Sequence, residues 1–212
     1  MTPAASAPDL EHEDLSAKQE LIIRTAYAVM SERGVDRMSL QDVADAAGVS
    51  KGIILYHFKT KENLVLTTMR WVLTRVEQRI REAIEDAERP EERIEAMIEA
   101  IFVGPELNRR FYLAYVELLD HAARFEPFTE LHATFHAIVN GLYAQVVREG
   151  VESGVFQVDD VEEAGAVLRA LIDGLFLQWL LERDRASVYA DYRARTTNAI
   201  LAYLKPTPAP AT

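Results

Sequence analysis

Cysteine is absent from the 212-residue chain, which removes disulfide frameworks and thiolate chemistry and suits a reducing cytoplasm. No leader segment is visible, because the N-terminus is rich in proline and acid and has no apolar core segment. Long apolar runs are missing too. The longest apolar region, Ala164 to Leu181, is interrupted by Arg169, Asp173 and Gln178, which argues against a membrane span. These absences together lead to the expectation of a soluble, cytoplasmic protein. Strand-like alternation survives nowhere, so the expected fold is all-α, with about nine helices and no internal repeat. Nucleophile elbows, phosphate loops and dinucleotide glycine patterns are absent as well, so the sequence offers no catalytic residues and no cofactor motif.

What remains is an ordinary globular composition, 49% hydrophobic and 27% charged. The length suffices for one large domain, or a small one plus a larger one. The organising stretch runs from Ser39 to Leu64, SLQDVADAAGVSKGIILYHFKTKENL. Ser39 caps a short helix, with Asp42 three residues on, and Leu40, Val43, Ala44 and Ala47 fall at buried helical spacing. Gly48 permits the positive backbone angle that ends this helix. Ser50 caps the next one, in which Ile54 and Phe58 pack inward while Lys51, Gly52, Ile53, Leu55 and Tyr56 stay outside. Two short helices joined by a glycine turn, the second with a basic, small and aromatic outer face, form a helix-turn-helix suited to the DNA major groove. Lys59 and Lys61, beside a third cap at Thr60, are placed for phosphates.

The run AAGVSKGIILYHFKTKENL resembles the DNA-binding signature of the tetracycline-repressor (TetR) family, over roughly Ala26 to Val65. The resemblance implies base or groove contacts from Gln41, Lys51, Gly52, Ile53 and Tyr56. It implies phosphate contacts from Ser50, His57, Lys59 and Lys61. Ile53 stands where a small or hydroxyl residue is common in the family, and Leu55 where an aromatic is common, so the operator sequence does not transfer from relatives. The formal charge of −11 opposes DNA binding by the chain as a whole. DNA, however, responds to charge within about a Debye length, roughly 8 to 10 Å. Lys51 to Lys61 holds three lysines and no acid, whereas the acids concentrate in Asp9–Asp14, Glu82–Glu99 and Asp159–Glu163.

Residues 1–14 and 205–212 read as flexible tails, 15–60 as the DNA-binding domain and 61–204 as a ligand-binding and dimerisation domain. The first helix begins at Ser16, with Gln19 completing a capping box, and buries Ile22, Ala26, Val29 and Met30 before Gly34 ends it. One long helix runs from Thr60 to about Ala87 and serves as a rigid connector about 40 Å long. Further helices follow from Pro90, from Gly104-Pro105 with Leu107, Phe111, Tyr115, Leu118 and Leu119 inward, from Pro127, from Asp159–Asp160, and from a cap at Ser187.

The helix from Asp159 to about Arg183 is hydrophobic nearly all round, which a surface helix should not be. Its second partner is expected to be its copy in another subunit, with the last helix alongside, making a four-helix interface. Leu168, Leu171, Ile172, Leu175, Trp179, Ile200 and Tyr203 are the candidate interface residues, and Gly174 would allow close approach. This agrees with the family resemblance, which implies homodimers reading palindromic operators on double-stranded DNA. The resemblance also implies a small inducer between the connector helix and the helix after Pro127. Candidate pocket residues are Trp71, Arg75, Phe102, Phe111, Tyr112, Tyr115, Phe135, His136 and Tyr143. Their apolar and aromatic character fits a hydrophobic or amphipathic small-molecule effector. His132 and His136, four apart, have a spacing that binds metals, but Ala133 stands where a zinc hydrolase motif needs glutamate, so no metal site is assigned. Two other readings remain open: a helical binding module without DNA affinity, and a metal-dependent helical hydrolase.

Overall fold

The computed structural model describes residues 15–205, and among these it contains nine α-helices and no strand. They are α1 (Ala17–Arg33), α2 (Leu40–Ala47), α3 (Lys51–Phe58), α4 (Lys61–Asp86), α5 (Pro90–Ile101), α6 (Pro105–Ala122), α7 (Glu126–Glu152), α8 (Val161–Leu180) and α9 (Tyr189–Leu204). The all-α expectation holds. Of the expected tails, residues 1–14 and 206–212 lie outside the described residues. Among the described residues no helix is long and apolar enough to cross a membrane.

Capping sets most helix starts. Ser16 and Ser39 both form reciprocal capping boxes, with Gln19 and Asp42 respectively. Asp160 accepts from the backbone N–H groups of Glu162 and Glu163, and Thr60 accepts from that of Asn63 at 3.0 Å. Proline supplies the first turn of α5, α6 and α7, where its missing N–H costs nothing. The last helix departs from expectation. It starts at Tyr189 after Val188, which makes no side-chain cap, and Ser187 instead bonds back to the Asp184 carbonyl within the preceding turn.

The helices pack as two compact units. The first holds residues 15–75 together with Arg109–Phe135, and so combines α1 to α3, the start of α4, most of α6 and the start of α7. The buried stripe of α1 (Ile22, Ala26, Val29, Met30) meets α2, which packs on α3. Val43 and Ala44 of α2 are buried as expected, but Leu40 and Ala47 are only partly covered, because so short a helix turns just one narrow face inward. The second unit holds Val76–Asn108 together with residues 136–205. Here α9 packs against both α5 and α8. Gly165 of α8 lets that helix approach α7 so closely that a Cβ would lie 2.7 Å from the Asn140 carbonyl oxygen and 3.0 Å from the Ala144 nitrogen. Leu107, expected inside, is exposed at the start of α6.

Candidate nucleic-acid interface

Positive backbone angles join α1, α2 and α3. Gly48 closes α2 in the left-handed conformation at φ 66 and ψ 32, a region closed in practice to most side chains. The chain then reverses, and Ser50 opens α3 by accepting from the Ile53 N–H at 3.3 Å. Ile54 and Phe58 are buried and anchor the helix. Lys51, Gly52, Leu55 and Tyr56 are exposed, with Ile53 and His57 partly covered. Tyr56 stands out at 72% exposure, with its ring edge-on to that of His57 at 5.0 Å. Gln41, on α2, is exposed and donates its amide to Asp45 at 2.7 Å. A Cβ on Gly52 would meet nothing nearer than Ser50 Oγ at 3.7 Å, so no packing within the chain requires glycine there.

The turn from α3 into α4 is unusually tight. Lys59 has φ 65 and ψ −54, and across it the Thr60 N–H bonds to the Phe58 carbonyl at 2.7 Å. This is a γ-turn of the strained, positive-φ kind. Lys59 donates Nζ to the Tyr56 carbonyl at 2.7 Å and lies 5.3 Å from the centre of the Tyr56 ring. Asn63 closes the same corner by donating to the Phe58 carbonyl at 2.9 Å. Lys61 donates to the Asp36 carbonyl at 3.2 Å on the exposed surface. Lys51 opens α3, Lys59 sits in the turn after it and Lys61 opens α4, with no acid between them in the sequence. Such a local run of cations suits phosphates even on a chain of net charge −11.

Two family profiles match the chain. Residues 22–68 match "Bacterial regulatory proteins, tetR family", and residues 90–205 match "BetI-type transcriptional repressor, C-terminal". The chain belongs to the TetR family. It is a ligand-responsive, DNA-binding transcriptional regulator of the repressor type. The repressor KstR2 of Mycolicibacterium smegmatis is 33% identical over 76 residues, 34% of this chain and 37% of that protein. The regulator TtgR of Pseudomonas putida is 27% identical over 192 residues, 84% of this chain and 88% of that one. Among solved structures, a transcriptional regulator from Saccharomonospora viridis in complex with choline superposes with a TM-score of 0.83. It is 23% identical, over 91% of this chain and 100% of that one.

TetR-family regulators answer to small molecules, and the residues expected to line the effector site divide between the two compact units. In the first, Phe111, Tyr112 and Tyr115 of α6 form a ring cluster: Phe111 is edge-on to Tyr112 at 5.1 Å and stacked with Tyr115 at 5.5 Å. Phe135 of α7 meets Tyr115 edge-on at 6.4 Å, and His132, on the same helix, stacks on Tyr115 at 6.4 Å. Trp71 and Arg75 pair with each other on α4, the guanidinium 4.3 Å from the indole centre. Arg75 is exposed, and it also bonds to Glu20 of α1 at 3.0 Å. In the second unit, Phe102 stacks on Phe176 at 4.2 Å and tilts against Tyr189. Tyr143 is buried and His136 partly so. Among the described residues, no three His, Asp or Glu side chains gather as they would around a metal ion.

The candidate subunit interface needs correction. Leu168, Ile172, Trp179 and Ile200 are buried within their own chain, where Trp179 is edge-on to Phe176 and donates its indole N–H to the Arg185 carbonyl. Their packing is used up inside the protomer. Leu171 and Leu175 are partly covered, and Tyr203 is exposed. Beside them Leu177 and Leu181 are exposed, Leu181 at 83%. Gly174, Leu177 and Gln178 of α8, with Leu181 just past its end, recur at spacings of three and four. Gly174, with nothing within 4 Å of an added Cβ, lies on this open stripe. Arg169 is buried, bonding to Asn140 at 3.1 Å and Asp173 at 3.4 Å, while Asp173 is partly exposed.

Proposed function

We propose that the protein is a cytoplasmic homodimeric repressor, without catalytic chemistry, that reads a palindromic operator through α3 and is released by a hydrophobic or amphipathic small molecule. In this reading residues 15–60 bind DNA, and 61–204 bind the effector and dimerise. Gln41, Lys51, Gly52, Ile53 and Tyr56 contact bases or groove walls, while Ser50, His57, Lys59 and Lys61 hold phosphates. The observation that carries the reading is the outer face of α3. It combines an exposed tyrosine with a glycine that no internal packing demands. Gly52 stands in the first turn of α3, where alanine is the better helix former, and close approach to a DNA backbone or base edge accounts for the glycine. Two such helices in a symmetric dimer read half-sites about 34 to 36 Å apart, or a multiple of that.

Release follows if the effector binds more tightly to a dimer conformation whose two recognition helices no longer match adjacent half-sites. A second effector class is favoured by the ring cluster of Phe111, Tyr112, Tyr115 and Phe135. Aromatic faces attract quaternary ammonium groups, and the Saccharomonospora viridis structure holds choline. Fluorescence anisotropy against labelled DNA from upstream of the protein's own gene, with random DNA as control and across a salt series, tests the reading. Specific, salt-steep binding is expected, with Tyr56→Ala losing operator preference more than overall affinity. Choline and a fatty acid, titrated separately, then distinguish the two effector classes by which one lowers the anisotropy. No binding to either DNA by a demonstrated dimer refutes the proposal.

A further inference from the structure

Glu117 lies on α6, two residues beyond Tyr115 of the aromatic cluster. Its carboxylate reaches across to the turn between α1 and α2 and accepts the Val35 N–H at 2.6 Å. The fit is close, since a Cβ on the preceding Gly34, at φ 82, would stand 2.6 Å from Glu117 Oε1. Val35 itself is buried. Lys61, the first residue of α4, holds the same turn through the Asp36 carbonyl at 3.2 Å. From the end of α6, Arg124 is bonded to Asp120 and also feels the charge of Asp36. The turn leads directly into the Ser39 cap of α2, and α2 carries α3. All of these residues belong to one compact unit.

An N–H bond donated to a charged acceptor is among the stronger hydrogen bonds and has a defined direction. Displacing α6 along or about its axis must stretch this bond, or move the turn with it. About 9 Å of helix axis separates Phe111 from Glu117. We infer that Glu117 is a positioning residue that transmits the state of the α6 aromatic cluster to the helix-turn-helix by gripping the Val35 N–H. The inference rests on the reading of α6 as the effector-bearing helix, and it assigns a single hydrogen bond as the point of transmission.

The test uses the full chain, with neither DNA nor effector, and follows backbone amide resonances by NMR. Phe111→Ala stands in for a change of occupancy in the cluster. In the wild-type background it is expected to shift the Val35 and Met38 amides. In a Glu117→Ala background the shift should vanish, and Val35 hydrogen exchange should quicken roughly tenfold. Glu117→Gln keeps an acceptor at the same reach and should restore the response. Glu117→Asp keeps the charge but falls short of the turn, so it should lose the response; it serves as the test if the alanine variant does not fold. Val35 ignoring Phe111→Ala in the wild type, or responding equally without an acceptor at position 117, overturns the inference. The anisotropy titration reports separately on DNA binding, so the regulator reading and the Glu117 contact fail independently.

Discussion

Replacing Lys59 separates two contributions that this residue makes at once. Its backbone sits at φ 65 and ψ −54 in a hydrogen-bonded γ-turn, a conformation that costs a side-chain-bearing residue about 1–3 kcal/mol. Its ammonium bonds to the Tyr56 carbonyl and lies over the Tyr56 ring. Lys59→Gly and Lys59→Ala both delete the ammonium and its contacts, so the difference between them isolates the backbone. Glycine relieves the strain but loses about 0.4–1 kcal/mol through its freer unfolded chain. At the middle of these ranges Lys59→Gly should therefore be more stable than Lys59→Ala by about 1.3 kcal/mol, or a few degrees in unfolding temperature for a chain of this size. Urea unfolding followed by circular dichroism measures the difference. On DNA, each lost phosphate contact flattens the salt dependence by about 0.9 log units, doubled in a symmetric dimer. The two variants should share this loss, while the glycine variant also relaxes the angle at which α3 is held and so loses more operator preference. Equal stability of the two variants refutes the strain argument, and a wild-type salt slope in both removes Lys59 from the phosphate contacts.

Gly165→Ala should destabilise the protein by about 1–3 kcal/mol in thermal unfolding, because its Cβ meets backbone atoms of α7 at 2.7 and 3.0 Å and neither helix can yield cheaply. The Asp42 carboxylate is held below its ordinary pKa of 3.8 by the Ser39 hydroxyl and backbone N–H, and then by Arg33. The unfolded chain thus takes up its proton first, so this stabilisation is present above pH 3.8 and disappears as pH falls through the lower folded value. Asp42→Asn should accordingly make acid unfolding less steep in that window; an unchanged acid limb in urea midpoints measured against pH would contradict this. Leu181→Glu places a charge on the open stripe of α8, and sedimentation should show a shift from dimer towards monomer, because an unpaired charge is costly to bury. A dimer that withstands the change would move the interface elsewhere.

The parts of the fold legible in the sequence were those with local causes. Ser16, Ser39, Ser50 and Asp160 announce helix starts because a side-chain oxygen within three residues satisfies the orphan N–H groups. Gly34 and Gly48 announce ends through the backbone angle they tolerate. The buried and exposed faces of α3 follow from a period of 3.6 and two anchors. Choices made by packing were not legible. Nothing local distinguishes Leu168, taken up by the protomer's own core, from Leu171 on the same apolar helix. Leu107 looks like a core residue by spacing yet faces outward. The Glu117 bond spans 82 positions in sequence, and no periodicity connects a carboxylate to a distant backbone N–H. The γ-turn at Lys59 was hidden for another reason, since lysine is not a residue that signals positive φ.

Only two side chains, Ile54 and Phe58, hold the eight-residue α3 in the core. Lys51, Gly52, Leu55 and Tyr56 are exposed, so their side chains contribute little to folding and substitution of Lys51, Leu55 or Tyr56 costs little stability. Recognition and foldedness are in this way written on different letters of one short word. On the proposed reading of α3, new target sequences become reachable by single changes at Lys51 or Tyr56 without passing through unfolded intermediates, and a duplicated gene would be able to acquire a different regulon while its protein stays intact throughout.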